Sequence, residues 1–175
     1  MIVMWIDQSF SGTGVCILND SKMILSELIV PSTKSVHRLV EIKNKLIKIY
    51  NDNKPDFVYM EKYMFTPKRA MAFELGELAG AIKTAFVEVG VTPVVVYTTH
   101  LKKYITGSGN AEKSLMLLKI FQKFGIEFNN NNLADAFLIA KIGEQAEILK
   151  LVKSKEKRKK GLEKYEWEVI KEYIK

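Results

Sequence analysis

Three acidic residues stand where a carboxylate does more than keep a surface wet. Asp7 closes the apolar run "IVMWID" (2–7), and Glu61 closes "FVYME" (57–61). Asp135 lies in "FNNNNLADAFLIA" (128–140), in the first turn of a helix predicted from Leu133. An acid that ends a buried strand sits at a sheet edge, and within the buried part it needs a partner or a cation. Neighbouring strands would bring Asp7 and Glu61 side by side. Converging carboxylates repel one another and are raised in pKa unless a divalent cation lies between them. Oxygen-only donors suit Mg²⁺ or Mn²⁺. Two such ions about 4 Å apart can activate a water and stabilise the leaving oxygen of a phosphodiester. Each acid also has a plain explanation. Asp7 could be a turn acid, Glu61 a surface acid, and Asp135 a favourable charge at a helix start. The order strand-Asp, strand-Glu, helix-Asp carries the signal, not any one of them.

The polar run before Asp135 bears on the same site. Asn129 to Asn131 read as turn residues and Asn132 as the helix N-cap, a position where Asn ranks among the best. Asn132 is also three residues before Asp135, so the two share a helix face.

The elements that must position these residues follow from periodicity. Runs 2–7, 13–18 and 22–30, the last two separated by the turn signature "NDSK", predict a three-stranded antiparallel meander. Apolar residues from Val36 to Tyr50 keep a helical period. After Pro55 comes the strand 57–61, then a long helix over 69–89 with Gly76 and Gly80 on one face, a spacing that permits close approach of another backbone. "TPVVVYT" (92–98) reads as a fifth strand, followed by helices over 114–124 and 133–145. The pattern predicts an α/β domain, a mixed five-stranded sheet flanked by helices. Leu162, Tyr165, Val169 and Tyr173 give the last segment an apolar face that must pack on its own domain or on another subunit.

Composition bounds the rest. The 175 residues, 47% apolar and 27% charged, describe one globular domain or one domain with an appendage. The lone Cys16 excludes an internal disulfide framework. No run approaches about 18 uncharged apolar residues, so neither a membrane span nor export is expected, and the expected location is cytoplasmic. Of the net charge of +7, the stretch "KSKEKRKK" (153–160) contributes +5 and leaves +2 for everything else. Such a run is either an attractor of nucleic acid or a solvated hinge.

The segments "WIDQSFSGTGVCIL", "MEKYMF", "ELGELAGAI", "TGSGNAEKS" and "LADAFLIA", in this order and spacing, resemble a RuvC-type Holliday junction resolvase of the RNase H-like superfamily, in its bacteriophage branch. The resemblance covers about residues 1–146 and leaves 147–175 as a basic helical extension. It implies an RNase H-like fold and a homodimeric, structure-selective endodeoxyribonuclease. Such an enzyme nicks four-way junctions, and by extension forks and flaps, through two-metal hydrolysis that leaves 5′-phosphate and 3′-hydroxyl ends. For a phage-encoded chain the cytoplasm is the host's. It implies metal binding by Asp7, Glu61 and Asp135, with Asn132 in the seat where the family keeps a fourth acid. It implies that Lys102 and Lys113 meet the scissile phosphate or the developing charge, and that an aromatic after Glu61, Phe65 or Tyr63, stacks on an opened base. Lys68 and Arg69 extend that DNA-binding surface.

Two alternatives follow from the same residues: a junction-binding protein disabled by Asn132, and a broader flap or debranching nuclease. A third, a kinase-like phosphate loop in "DQSFSGTG", belongs to folds with two such domains, for which 175 residues are too few.

Overall fold

The computed structural model describes residues 1–62, 69–152 and 159–174, with the backbone alone for 69–72. The sheet has five strands in the order β3-β2-β1-β4-β5. β1 (Ile2–Asp7), β2 (Thr13–Asn19) and β3 (Lys22–Ile29) form the expected antiparallel meander. Its β2–β3 turn places Asp20 and Ser21 at φ 45° and 67°, the double left-handed geometry that a two-residue hairpin favours. β4 (Phe57–Glu61) and β5 (Val94–Val96) pair in parallel beyond β1.

Both faces of the sheet are covered, which is why "IVMWI" is apolar throughout rather than alternating. Side chains alternate along β1. Met4 and Ile6 enter one core with Ile42, Leu46, Leu78 and Phe86 of α1 (Ser35–Asn53) and α2 (Arg69–Glu88). Val3 and Trp5 enter the other, with α3 (Thr98–Thr106), α4 (Lys113–Phe124), α5 (Asn131–Lys150) and α6 (Lys164–Ile170). A single 3₁₀ turn, Lys171–Tyr173, follows α6. The apolar face of the last segment is thus accounted for within its own core, where Val169 and Ile170 are buried. Among the described residues, no helix is long and apolar enough to cross a membrane.

Three expectations change. The fifth strand stops at Val96, and Thr98 begins the unforeseen α3. Leu101, Tyr104 and Ile105 are buried at helical spacing and Gly107, at φ 81°, closes the helix in the left-handed conformation. The β-branched Thr98 reads as the last residue of the strand predicted over 92–98, and Thr99 after it is equally β-branched. Second, α5 starts at Asn131, so Asp135 falls in its second turn and the helix-dipole explanation for it weakens. Third, Gly80 is exposed, and a Cβ built on it meets nothing within 4 Å. No described part of the same chain takes up the close approach that this glycine permits.

α5 itself lies very close to the sheet. A Cβ on Gly143 would stand 2.4 Å from Trp5 Cζ2 and 2.7 Å from Tyr59 Cζ. Gly143→Ala should therefore destabilise the fold by about 1–3 kcal/mol or more, since neither buried ring has room to move. Thermal denaturation measures it, and an unchanged melting temperature would contradict this packing.

Candidate metal and nucleic-acid site

Parallel pairing of β1 with β4 aligns Ile6 with Met60, so the next pair along the register is Asp7 beside Glu61. Asp7 continues the alternation of Val3 and Trp5, and Glu61 that of Tyr59, so both side chains belong to the face covered by α5. Across β2, Asp7 stands opposite Gly14. A Cβ there would lie 2.4 Å from the carbonyl oxygen of Asn132. The absence of a side chain at 14 lets the first turn of α5 come down on the sheet edge.

That turn is capped by Asn130, not Asn132. The Asn130 Oδ1 accepts from the amides of Asn132 at 2.9 Å and Leu133 at 3.3 Å. Asn132 is used differently: its Nδ2 donates to the Gly12 carbonyl at 2.6 Å. Because a carbonyl only accepts, this bond fixes which end of the amide is nitrogen. The cap is thus decided by which asparagine precedes the docked turn, which four equivalent residues do not reveal locally.

Asp135 follows, 5% exposed, with Lys113 Nζ donating to its Oδ2 at 3.2 Å. Burial is the main reason that the Asp135 carboxyl titrates above the ordinary range; Glu61 adds to it, while Lys113 and Lys102 oppose it. The Asp7 carboxyl is raised well above its usual value, first by burial, then by contact with Glu61 and by its charge, then by Asp135. Lys113 opposes that shift too. Asp7, Glu61, Asp135, Lys102 and Lys113 therefore share one electrostatic site.

Two neighbours were not foreseen. Thr98, the first residue of α3, donates its hydroxyl to Glu61 Oε1. Gln8 Nε2 donates to the Glu61 carbonyl at 3.1 Å. The only sequence signal for Thr98 is a hydroxyl two residues past a strand that runs parallel to β4. Beside them Lys62 donates to the Tyr97 hydroxyl at 3.0 Å and lies 4.2 Å from the centre of its ring. Tyr63, Phe65 and Lys68 lie outside the described residues, as does the side chain of Arg69, whose backbone opens α2.

The donor set is all oxygen, mutually repulsive and partly desolvated, which is chemistry that a hard divalent cation satisfies. Among the described residues no three acidic, histidine or cysteine side chains already close on one point as a cage. Asp135 is instead turned onto Lys113.

The model of the family described as "Crossover junction endodeoxyribonuclease RuvC" matches residues 3–142. The RuvC crossover junction endodeoxyribonuclease of Rickettsia conorii is 27% identical over 148 residues, spanning 80% of this chain and 94% of that protein. The one from Carboxydothermus hydrogenoformans is 27% identical over 137 residues, 75% and 87% of the two chains. Among solved structures, Thermus thermophilus RuvC in complex with Holliday junction substrate superposes with a TM-score of 0.69 at 23% identity, covering 80% of this chain and 90% of that one. Fowlpox virus resolvase, in complex with substrate Holliday junction DNA, does so with a TM-score of 0.56 at 15% identity, covering 85% and 99%. At these identities the structures establish the fold, the mixed five-stranded sheet with its flanking helices.

Gly14→Ala tests how the site is assembled. The added methyl must push α5 off the edge, with an expected stability loss of about 1–3 kcal/mol. Activity should fall more steeply than stability, because Asp135 moves with the helix. Nuclease assays at a temperature where the variant remains folded make the comparison, and full activity there would refute the arrangement.

Proposed function

This chain belongs to the RuvC family of crossover junction endodeoxyribonucleases, and from that premise we propose that it resolves Holliday junctions and nicks related branched DNA by metal-dependent hydrolysis, leaving 5′-phosphate and 3′-hydroxyl ends. The observation that carries the proposal is the adjacent Asp7 and Glu61, with Asp135 delivered to the same buried edge by α5.

In this reading Asp7, Glu61 and Asp135 hold the divalent ions, Mg²⁺ or Mn²⁺, and Asn132 lends a neutral oxygen in the fourth seat. Bound there, a pair of such ions lowers the pKa of the attacking water and stabilises the leaving oxygen. The protein's own residues do the rest. Lys113 opens α4 and Lys102 lies on α3, both on the side from which charge reaches Asp135. A lysine there is a point charge for the scissile phosphate. Phe65 or Tyr63 supplies the stacking platform for an unpaired base. Lys68, Arg69 and the basic run 153–160 add salt-dependent, sequence-independent affinity.

Symmetric nicking needs two sites, and an exposed apolar face supports a second copy of the chain. On α2, Phe73 is 74% exposed and Val87 57%, with the open Gly80 between them; Val36 and Val40 of α1 are exposed nearby along the same pair of helices. Exposed apolar residues of this size support an interface there, and a second copy packed on it would give the homodimer.

Asn132 favours one competing reading, a protein that binds junctions without cutting them. Asn132→Asp separates the two. A large gain in cleavage would establish a disabled site. Little change, or a loss from replacing the donor that holds Gly12, supports a working one.

With a synthetic four-way junction and Mg²⁺, the protein should give paired nicks, and chelation should abolish them. Asp7→Asn should lower the cleavage rate by about a thousandfold or more while junction binding persists. An intact junction at high protein and metal concentration, or an active Asp7→Asn, would end the proposal.

A further inference from the structure

The family match ends at residue 142, yet the chain beyond it returns to the site. α6 ties down both helices that carry the site's lysines. Lys103 of α3 pairs with Glu168 at 2.5 Å, and Lys123 of α4 pairs with the buried Glu166. One turn further, Tyr173 reaches the start of α3. Its hydroxyl oxygen accepts from the Tyr97 amide at 3.4 Å and lies 2.5 Å from His100 Nδ1. The His100 and Tyr173 rings meet edge to face at 5.7 Å. The hydroxyl oxygen can accept from the Tyr97 amide and still share a hydrogen bond with Nδ1, the donor in that second bond being set by the imidazole tautomer. Burial lowers the His100 pKa, which favours the neutral imidazole in this contact.

α3 needs such a hold. Tyr97 occupies its N-cap position, and no side-chain cap satisfies the first-turn amides. Thr98, the first residue of that turn, is the one that donates to Glu61. We propose that Tyr173 is a positioning residue for the nuclease site: it fixes the first turn of α3 from outside, so that the Thr98 hydroxyl holds the Glu61 carboxylate in its metal-binding orientation. The inference rests on Glu61 being a metal ligand. Nothing in it requires Tyr173 to touch DNA or metal.

Tyr173→Phe keeps the ring and removes the hydroxyl. Its Mn²⁺ affinity, followed through the free-ion electron paramagnetic resonance signal, should fall about tenfold, the low end for loss of an outer group that orients a ligand. The kcat for junction nicking should fall by a similar factor, with KM nearly unchanged. Thr98→Val should reproduce both effects and Thr98→Ser should not. In the Thr98→Val background, Tyr173→Phe should cost almost nothing more, because the two act through one bond. Additive losses, or a Tyr173→Phe variant that melts earlier yet keeps its Mn²⁺ affinity and kcat, would overturn the proposal. If Tyr173→Phe does not fold, the Ser and Val pair at 98 still tests the Glu61 contact with the C-terminal packing intact, and equal Mn²⁺ affinity in the pair would refute it. A wild-type chain that binds Mn²⁺ but leaves junctions uncut would sink the functional reading alone, since the Mn²⁺ comparisons still decide the role of Tyr173.

Discussion

Helix α5 lies closer to the sheet than two layers of side chains would allow, and the geometry of the site depends on that approach. Two glycines on opposite partners make it possible. Gly143, on the helix, faces the stacked rings of Trp5 and Tyr59, whose centres are 4.2 Å apart; Gly14, on β2, faces the backbone of Asn132. Between them the buried helix positions include Ala134, Ala136 and Ala140. Large rings on the strands against small residues on the helix fill the space without voids. A helix held at both ends cannot slide or tilt freely, so Asp135 keeps a fixed height above Asp7 and Glu61. The same short distance that leaves no room for a methyl group is what lets a helix carboxylate share an edge with two strand carboxylates.

That edge is electrostatically expensive without a cation. Asp7 and Asp135 are buried, Asp7 feels the charge of Asp135, and both feel the charge of Glu61. The chain relieves the repulsion from the periphery, with Lys113 on Asp135, Lys102 nearby and a neutral hydroxyl on Glu61. Three carboxylates against two lysines leave a negative centre with a positive rim. A centre of this charge would attract metal ions and turn away a phosphate until they are bound, while the rim would draw a DNA backbone inward. Under the proposed function, metal binding would therefore come before productive engagement of the scissile bond.

How far the sequence disclosed this depends on whether a feature is local. The acids that end β1 and β4 were legible because each terminates an apolar run, and a parallel neighbour aligns them automatically. The two-sided burial of the sheet was legible in the same runs. The cap was not: four consecutive asparagines are equivalent until Gly12 and Gly14 choose where the helix docks, which assigns Asn130 to the cap and Asn132 to the loop. α3 was hidden because Thr98 and Thr99 have strand propensity, and only the burial of Leu101, Tyr104 and Ile105 against α5 and α6 overrides it. Thr98 was missed for that reason, since a threonine read as the end of a strand has no visible relation to Glu61. The apolar face of 162–174 was legible, but its target was not, because periodicity states that a face must be covered and not by what.

That target changes the role of the chain beyond the family match. Tyr59, in the strand that leads to Glu61, donates its hydroxyl to Glu147, which also accepts from Lys150 at 2.8 Å. Glu147 is 6% exposed, and a carboxylate buried that far is tolerable only with both partners in place. Ala146 and Leu149 belong to the same core as Trp5, as do Val169 and Ile170. The central strands are therefore packed and hydrogen-bonded in part by residues past 142, and the first turn of α3 is held by a residue past 170. A segment already committed to the core of the catalytic sheet can take over a positioning duty at little further entropic cost, because its backbone is ordered for other reasons. The extension is joined to the site through packing before any contact with DNA is considered.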